Sequence, residues 1–568
     1  MREERFGMTA ITDNKLPALQ GKHHLENYEA VYSTFQWEDA AKLLSGKKEG
    51  KINAAYEAID RHVEEGFGDK IAIHYISDDQ TQSYTYKELQ EKVNHYARVL
   101  RKYNVQKGDR VFVFLPKSVE CYVGIFAAIK VGAIAVPLFE AFMEDAIRDR
   151  VEDCQGNLLI SDETLVKRVP TSELPCLETI LLVEDIDNIS FSENEQSSVT
   201  EWMEEEDGFL IHYTSGSTGK PKGVLHVNRA IKHHAITGKY VLDIHDEDVY
   251  WCTSHPGWVT GSIYGLFAPL LNRATVVIHG GRFSAEDWYK IIEKFQVTIW
   301  YSAPTAFRML VSKGDLYKQY NLSSLRHILS VGEPLNPEVI HWAWENWQVR
   351  IHDTWWMTET GGHLIVNFPS ATIKPGSMGR PFPGISVGIL DSKGNELPRG
   401  EVGQLAIKAP WPGIMKEIWG NQEKYNSYFP YEGWYVSGDL AYQDEEGYVF
   451  FQGRDDDMIQ SAGEQIGPFE VESKLIEHPA VREAGVIGKP DAIRGEIVKA
   501  FITLQEGYEE SNQLLEEIRL FVRNELAAHS APRELEVMEE LPKTKISGKI
   551  LRRELKRLEI QRQETAVE

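Results

Sequence analysis

At 568 residues the chain is too long for one compact core, so at least two domains are expected. Its 42% hydrophobic and 26% charged residues are typical of a soluble globular protein, and the net charge of −25 disfavours a nucleic-acid partner. Four cysteines without a CxxC spacing favour neither a zinc site nor a disulfide framework and indicate a reducing cytoplasm. The N-terminus lacks a signal-peptide core. The most apolar run, 122–139, contains Lys130 and predicts a buried helix, turn and strand rather than a membrane span.

Predicted strands and helices alternate from residue 71 to about residue 350. The strand runs are nearly continuous in apolar residues, which is typical of parallel sheets covered by helices. Ligands bind such sheets at the carboxyl ends of strands, so the turns after residues 331 and 352 are expected to line a crevice. The predicted strands are 111–115, 133–136, 157–161, 179–183, 209–213, 248–253, 275–279, 297–302 and 327–331; the predicted helices are 54–62, 118–130, 143–154, 263–271, 285–295, one capped by Asn228 and running to about 241, and one opened by Asn336 and Pro337.

The stretch 213–223, YTSGSTGKPKG, combines four Ser or Thr hydroxyls, two lysines and three glycines. Glycines let backbone N–H groups approach phosphate oxygens, while hydroxyls and lysines offset their charge, so the stretch predicts a loop that wraps a polyphosphate. Its spacing is too short for a Walker A loop, and Pro221 is unsuited to the helix that follows a Walker lysine. The alternative is a solvated turn between two strands.

Glycine and proline become more frequent from residue 376, and the shorter strands 387–390, 403–407 and 448–452 predict a small β subdomain. A charged turn at 453–457 precedes a unit with its own predicted strands, 483–487 and 499–504, and helices, 469–477 and 512–526. We therefore predict two domains, residues 1–455 and residues 456–568.

The stretch YTSGSTGKPKG is similar to the nucleotide loop of the adenylate-forming superfamily. The stretches GEP, DTWWMTET, YVSGD and PKTKISGK bring the resemblance, over nearly the whole chain, to the AMP-forming acetyl-CoA synthetases of that superfamily. The resemblance implies a large domain of layered α/β sheets with a small β subdomain and a hinged α+β C-terminal cap. It also implies that acetate and ATP give acetyl-adenylate and pyrophosphate, and that CoA then gives acetyl-CoA and AMP. A propionyl- or other short-chain synthetase, or a non-catalytic ATP-binding regulatory protein, are the alternatives.

The resemblance also implies where ATP and Mg²⁺ bind. The residues matching the family's nucleotide contacts are Thr214, Ser215, Gly216, Ser217, Thr218, Gly219 and Lys220 in the loop, Gly332, Glu333 and Pro334 at adenine, Asp353, Thr354, Trp355, Trp356, Met357 and Thr358 along AMP, and Asp439, Arg454 and Gln465 at ribose or phosphate. Glu359 would help to hold Mg²⁺ together with ATP, since Mg²⁺ prefers one or two carboxylates plus phosphate oxygens.

Substrate size is expected to depend on Trp356, whose match in acetyl-CoA synthetases closes the acyl pocket. Val259 and Thr260 would complete this pocket, and Trp258 would pack at its mouth. An indole is large and stiff, so each extra methylene would cost about 1 to 3 kcal/mol. The alternative for Trp355 and Trp356 is a purely structural role as core aromatic residues.

The cap carries the remaining expected roles. Lys549, in the stretch SGK, matches the family's catalytic lysine and is also a candidate for acetylation by a lysine acetyltransferase and reversal by a deacetylase. Asp456 is the expected hinge, Gly463 and Thr260 would border the path of CoA, and Arg523 would contact CoA.

The chain departs from the family pattern at several positions. Gln465 stands where the family has an arginine, Ile546 is an extra residue in PKTKISGK, and Ser254-His255 replaces a more usual Ala-Asp. The pair His233-His234 and His478 could be taken for metal ligands, with His478 near a cation site of the family. Core or surface positions are the alternative for these histidines.

Overall fold

The structure is a computed structural model that describes residues 15–77, 80–192, 199–215, 220–454, 457–461, 464–491, 494–526, 530–543 and 550–567. Two large sheets dominate it. Sheet A has nine strands, in spatial order Arg380–Pro381, Ile365–Val366, Ile351–Trp355, His327–Ser330, Ile299–Ser302, Val249–Cys252, Thr275–His279, Ile71–Ile76 and Thr81–Thr85. Sheet B has seven, in the order Glu417–Ile418, Pro221–Val227, Gly208–Ser215, Ile134–Leu138, Arg110–Phe114, Leu158–Ser161 and Thr179–Leu182. The prediction of an α/β fold is confirmed.

The strands at the centre of both sheets are parallel, and antiparallel pairs lie towards the edges. The six strands of sheet A from Ile351–Trp355 to Ile71–Ile76 pair in parallel, whereas Ile365–Val366 and Thr81–Thr85 pair antiparallel with their neighbours. In sheet B the strand Gly208–Ser215 is parallel to Ile134–Leu138 and forms an antiparallel hairpin with Pro221–Val227. The carboxyl ends of the parallel strands therefore form one edge of each sheet.

Both faces of each sheet are covered, as the apolar strand runs predicted. In strand Arg110–Phe114, Val111 and Val113 belong to the core between the two sheets, whereas Phe112 and Phe114 face a second core on the outer side. This division follows from the two-residue period of a strand. A third core lies on the outer face of sheet A, so the large domain is built of five alternating helix and sheet layers.

The helices occupy three of these layers and the cap. Their bounds are Tyr28–Thr34, Trp37–Ala41, Tyr56–Asp60, Val63–Phe67, Tyr86–Lys102, Val119–Lys130, Glu144–Cys154, Val183–Asp187, Ala230–Tyr240, Val259–Ser262, Ile263–Phe267, Ala268–Leu271, Ala285–Phe295, Pro304–Val311, Pro337–Trp347, Gln422–Ser427, Pro468–Glu477, Asn512–Glu525 and Arg552–Val567, with 3-10 turns at Leu165–Arg168, Thr171–Glu173 and Gly314–Gln319. Three of them, Tyr56–Asp60, Val63–Phe67 and Ile263–Phe267, are π-helical.

The remaining strands form two smaller sheets. Sheet C is antiparallel, in the order Val387–Leu390, Gly403–Lys408, Trp434–Gln443 and Val449–Arg454, and corresponds to the predicted β subdomain. Sheet D contains Glu464–Ile466, Ile459–Ser461, Gly495–Leu504 and Val481–Asp491, with Glu534–Val537 parallel to Gly495–Leu504. Its helices and strands surround two cores of their own, formed by residues between 459 and 555.

Two helix starts differ from the prediction. Asn228 does not cap the helix Ala230–Tyr240, because its side-chain amide donates to the carbonyl of Asp207 and a turn precedes the helix. The helix predicted over 263–271 begins at Val259 instead, and Trp258 occupies its N-cap. Within the described residues, we find no helix with both the length and the apolar character needed to cross a bilayer.

Candidate active site

One cleft of about 960 Å³ lies where the edges of sheets A, B and C meet the cap. Its volume is in the range of sites for nucleotide-sized ligands. Sixteen of the site residues named from the sequence line it: Thr214, Trp258, Val259, Thr260, Gly332, Glu333, Pro334, Asp353, Thr354, Trp355, Trp356, Met357, Thr358, Glu359, Asp439 and Arg454. Residues more than two hundred positions apart are thus brought together by the folding of the large domain.

The side chain of Glu333 is held by residues of the helix Pro304–Val311. The hydroxyl of Thr305 donates to the Glu333 carboxylate at 3.0 Å, and Arg308 Nη2 donates to Glu333 Oε2 at 2.8 Å. Gly332 has φ +92° and open space around its α-carbon, so glycine is needed for the backbone conformation rather than for room. The side chain of Glu333 therefore points towards Arg308, and the backbone of residues 332–334 borders the cleft.

Asp439 presents both of its carboxylate oxygens at the rim of sheet C. Trp355 Nε1 donates to Oδ2 at 2.9 Å, and Arg454 Nη1 donates to Oδ1 at 3.0 Å. Asp439 is directly opposite Arg454 in the antiparallel pairing, and Gly438 before it has φ +79°. Each carboxylate oxygen can accept further hydrogen bonds, so the pair can receive two neighbouring hydroxyls.

Trp356 forms one wall of the cleft, and its side chain is buried, with 8% exposed. Its indole packs edge-to-face on Tyr264, with ring centroids 5.0 Å apart, and its Nε1 donates to the hydroxyl of Tyr301 at 3.3 Å. Val259 and Thr260 stand in the first turn of the helix Val259–Ser262 and line the same cleft. The N–H groups of a first turn lack helical acceptors, so this helix start favours an anionic group in the cleft.

A carboxylate and two lysines meet at the end of the cleft nearest the hairpin. Glu359 is buried, and the hydroxyl of Tyr428 donates to its Oε1 at 2.9 Å. Burial and the nearby Lys424 lower the pKa of Lys222, which is paired with Thr214 in the hairpin. One buried carboxylate beside two ammonium groups suits a phosphate-bound Mg²⁺, whose other ligands come from phosphate and water.

Asp353 is the most strongly perturbed acid of the cleft. It ends the pairing of strand Ile351–Trp355 with its neighbour, and burial raises its pKa to about 8 despite hydrogen bonds from backbone N–H groups. Its side chain is therefore mainly protonated at neutral pH in the ligand-free protein. Such a strongly perturbed acid in a cleft is a common mark of a functional site.

Other residues named from the sequence lie elsewhere or outside the described residues. Lys220 is exposed next to the hairpin tip, while Ser215 and Gln465 lie in the strands Gly208–Ser215 and Glu464–Ile466. Arg523 is exposed on the helix Asn512–Glu525 and does not line the cleft. Outside the described residues are Gly216, Ser217, Thr218, Gly219, Asp456, Gly463, Ile546 and Lys549.

The sequence reasoning missed several residues of the cleft. Lys424 and Tyr428 come from the helix Gln422–Ser427 and the turn after it, and Arg552 comes from the cap. Arg552 Nε donates to Glu472 Oε1 at 2.8 Å, which holds its guanidinium at the cleft wall. Lys424 and Tyr428 could have been predicted to lie near the cleft because they are close in sequence to the YVSGD stretch, whereas nothing in the local sequence distinguishes Arg552.

The histidines considered as metal ligands are buried in the core. His233 and His234 each bond through Nε2 to a backbone carbonyl, of His363 and of Gly361. His478 accepts from the N–H of Ala480 through Nδ1, and its Nε2 lies 3.7 Å from a carboxylate oxygen of Glu517. These contacts agree with the alternative that His233 and His234 are core residues.

Among the described residues, one trio has ligand atoms close enough to share an ion: His24, Asp243 and His245. The two imidazole rings are stacked, with centroids 4.2 Å apart and 13° between their planes. A metal ion lies in the plane of each imidazole that binds it, so one ion cannot satisfy both rings in this arrangement. Arg326 Nη1, 3.1 Å from Asp243 Oδ2, already supplies a positive charge there.

Buried His255 gives a structural account of the Ser254-His255 departure. Its Nε2 bonds to the carbonyl of Leu115 at 3.1 Å, and its Nδ1 accepts from the N–H of Gly257 at 2.8 Å. A Cβ on Gly257 would lie 2.5 Å from the backbone nitrogen of Phe139. His255 thus orders the turn that leads into Val259 and Thr260.

The layered α/β domain, the small β subdomain and the cap over one shared cleft define an enzyme of the adenylate-forming fold. The chain belongs to the AMP-binding enzyme family: the family's profile matches residues 60–419, and the profile of the AMP-binding enzyme C-terminal domain matches residues 470–549.

Relatives of known name agree with this membership. The chain is 57% identical over 556 residues to the acetyl-coenzyme A synthetase of Bacillus subtilis (strain 168), covering 96% of this chain and 97% of that protein. The crystal structure of a Brucella canis acyl-CoA synthetase has 33% identity and a TM-score of 0.72 over 95% of this chain and all of that one. The crystal structure of an anthranilate CoA ligase in complex with anthranoyl-AMP has 28% identity and a TM-score of 0.82, covering 92% and 99% of the two chains.

Proposed function

We propose that the protein is an AMP-forming acetate–CoA ligase. The observation that carries the proposal is that the buried indole of Trp356 lines the same cleft as Val259 and Thr260. If these three residues enclose the acyl group, a two-carbon acid would be accommodated against the indole, which is fixed by its hydrogen bond to Tyr301, whereas a longer chain would have to displace it. The name of the Bacillus subtilis relative supports the same substrate.

The proposed nucleotide site follows from the geometry of sheets A and C. The backbone of residues 332–334 borders the adenine, because the Glu333 side chain is held away by Arg308. Asp439 accepts the two ribose hydroxyls, since its two oxygens match their spacing. Thr214 and Lys222 face the phosphates together with the loop 216–219. Glu359 would hold Mg²⁺, which offsets phosphate charge when bound.

In the first half-reaction the protein positions and stabilises charge. The carboxylate of acetate lies at the helix start formed by Val259 and Thr260, in line with the α-phosphorus of ATP. Lys549 supplies an ammonium group to the acetate oxygen and the α-phosphate. Its chain neighbour Ile550 lines the cleft, and so does Arg552, which supports this position of Lys549.

In the second half-reaction the cap, residues 456–568, turns about Asp456 relative to residues 1–455. Arg523 lies outside the cleft in the present arrangement, so a contact between Arg523 and CoA bound at Thr260 requires such a movement. Gly463 would then border the pantetheine path. This alternation lets one cleft serve both half-reactions.

Exchange of labelled pyrophosphate into ATP tests the proposal. Acetate should support exchange well, propionate more weakly, and butyrate and octanoate hardly at all. Exchange equally dependent on propionate would instead indicate a short-chain synthetase, and ATP binding without acid-dependent exchange would indicate a regulatory protein. Omission of Mg²⁺ should abolish exchange.

Replacement of the indole tests the size limit directly. Trp356→Gly should extend exchange to butyrate and longer acids, because about 1 to 3 kcal/mol of discrimination per methylene is removed. Trp202→Gly is the matched control, since Trp202 packs on Tyr56 away from the cleft. An unchanged profile in Trp356→Gly would exclude Trp356 as the pocket wall.

Acetylation of Lys549 would provide regulation by an acetyltransferase and a deacetylase. It removes the charge needed for adenylation, whereas thioester formation from supplied acetyl-adenylate and CoA should continue. Equal loss of both half-reactions would contradict this role. The four free thiols, Cys121, Cys154, Cys176 and Cys252, support a reducing cytoplasm as the place of action.

A further inference from the structure

We propose that Tyr301 is a specificity-positioning residue: its hydroxyl holds the indole of Trp356 in the orientation that limits the acyl pocket to acetate. This inference rests on the proposed function, in which Trp356 is the pocket wall. Tyr301 does not line the cleft and acts through Trp356. It lies on the strand Ile299–Ser302 and is fully buried.

The carbonyl of Ser330 determines the direction of the hydrogen bonds that connect it, through Thr354 and Tyr301, to Trp356. Thr354 Oγ1 donates to the carbonyl of Ser330 at 2.7 Å, so this hydroxyl must accept from any other partner. The Tyr301 hydroxyl, 2.7 Å away, therefore donates to Thr354 Oγ1. The phenolic oxygen is left as an acceptor, and the indole Nε1 of Trp356, a donor only, meets it at 3.3 Å.

His363 completes the arrangement from the other side. Its Nε2 lies 2.9 Å from the Tyr301 oxygen, while its buried Nδ1 has no hydrogen-bond partner among the described residues. Burial keeps the pKa of His363 well below its ordinary value, so the ring is neutral and its single proton is assigned to Nε2. Tyr301 thus accepts from both His363 and Trp356.

Through the hydroxyl of Tyr301, the indole of Trp356 is therefore linked to hydrogen-bonding groups on three adjacent strands of sheet A. Tyr301, Ser330 and Thr354 stand on the strands Ile299–Ser302, His327–Ser330 and Ile351–Trp355, which pair in parallel. Tyr264 stacks on His363, with centroids 3.7 Å apart, and presses edge-on against the indole. Without the Tyr301 oxygen, rotation of the indole would no longer break a hydrogen bond.

The test compares Tyr301→Phe with Tyr250→Phe. Tyr250 is buried on the neighbouring strand, in register with Ile299, and its hydroxyl has no hydrogen-bond partner within the described part of the chain. We expect Tyr301→Phe to raise the ratio of kcat/KM for propionate to that for acetate by about two- to tenfold, the range of one hydrogen bond. Tyr250→Phe should leave the ratio unchanged. Equal ratios in the two variants would overturn the inference.

A double-mutant cycle with Trp356→Phe separates positioning from general loosening of the core. Phenylalanine has no N–H group, so adding Tyr301→Phe to Trp356→Phe should not change the substrate ratio further. The same increase in both backgrounds would overturn the inference. Trp356→Gly and the unaltered protein are measured alongside. No acetate-dependent activity in the unaltered protein would refute the proposed function, whereas a shifted profile in Trp356→Gly with none in Tyr301→Phe would refute the positioning role alone.

Discussion

Acidification should unfold this protein at an unusually mild pH, because many of its histidines are buried as neutral rings. Burial removes the water that solvates an imidazolium and so lowers the pKa of each. The pKa falls to about 3 for His62, His212, His255 and His327, to about 4 for His226 and His233, and well below the ordinary value for His234, His352 and His363. Burial therefore disfavours the charged form of all nine, and the six with a pKa near 3 or 4 stay mainly neutral in the folded protein at pH 5.

The sign and size of the effect follow from proton uptake. In the unfolded chain each histidine binds a proton below pH about 6.5, whereas the folded protein does not, so stability falls as the pH falls. A fully bound proton corresponds to about 1.4 kcal/mol per pH unit, and because an unfolded histidine is only half protonated at pH 6.5, the loss is about 1.6 kcal/mol per histidine between pH 6.5 and 5. The six with a pKa near 3 or 4 together give about 10 kcal/mol, which is comparable with the usual free energy of unfolding of about 5 to 15 kcal/mol.

Buried acids with a raised pKa act in the opposite direction, and the shifts are largest for two of them. The pKa of Asp353 is raised to about 8 by burial, and that of Glu338 to about 7 by burial and the nearby Glu477. These groups are protonated in the folded protein at a pH where the unfolded chain has lost the protons, so they add stability as the pH falls to about 4. Over the same interval they contribute about 4 kcal/mol together, which leaves a net loss of about 6 kcal/mol from these groups.

Circular dichroism and tryptophan fluorescence between pH 8 and pH 4 measure this loss. We expect a cooperative transition near pH 5, accompanied by uptake of several protons that calorimetry in two buffers can count. His327→Gln keeps a donor for the Val241 carbonyl and should reduce the pH dependence by about 1.4 kcal/mol per pH unit. A native spectrum and cooperative melting at pH 4.5 would refute the reasoning.

Three further outcomes are expected. Lys130→Met should lower the free energy of unfolding by about 3 to 5 kcal/mol, because Lys130 Nζ lies 2.7 Å from both carboxylate oxygens of buried Asp60. In denaturant titrations, adding Asp60→Asn should restore most of the lost stability, and no recovery would contradict the pairing. Asp439→Asn should raise the KM for ATP about tenfold with little change in melting temperature, since one charged hydrogen-bond acceptor is lost; an unchanged KM would exclude the ribose role. Glu359→Gln should raise the Mg²⁺ concentration needed for half-maximal pyrophosphate exchange, and an unaltered Mg²⁺ dependence would place the metal elsewhere.

The cleft could be predicted largely because its residues follow strands. Glu333 and Trp356 come directly after strands whose apolar runs are visible in the sequence, and the carboxyl ends of parallel strands share one edge. The strands on either side of residues 216–219 could likewise be recognised from their apolar residues. The contributions of Lys424 and Arg552 were not, because they depend on contacts between distant segments.

Local order along the chain was determined by the sequence itself: apolar strands with period two, amphipathic helices between them, and polar turns at the strand ends, since these depend on neighbouring residues and backbone geometry. The tertiary structure alone decided which groups lost water and which partners they met. The protonation of Asp353, the neutral histidines and the hydrogen bond from Trp356 to Tyr301 all arise from burial and from contacts between segments far apart in the chain. Such effects depend on three-dimensional distance and solvent exposure, which local sequence does not specify.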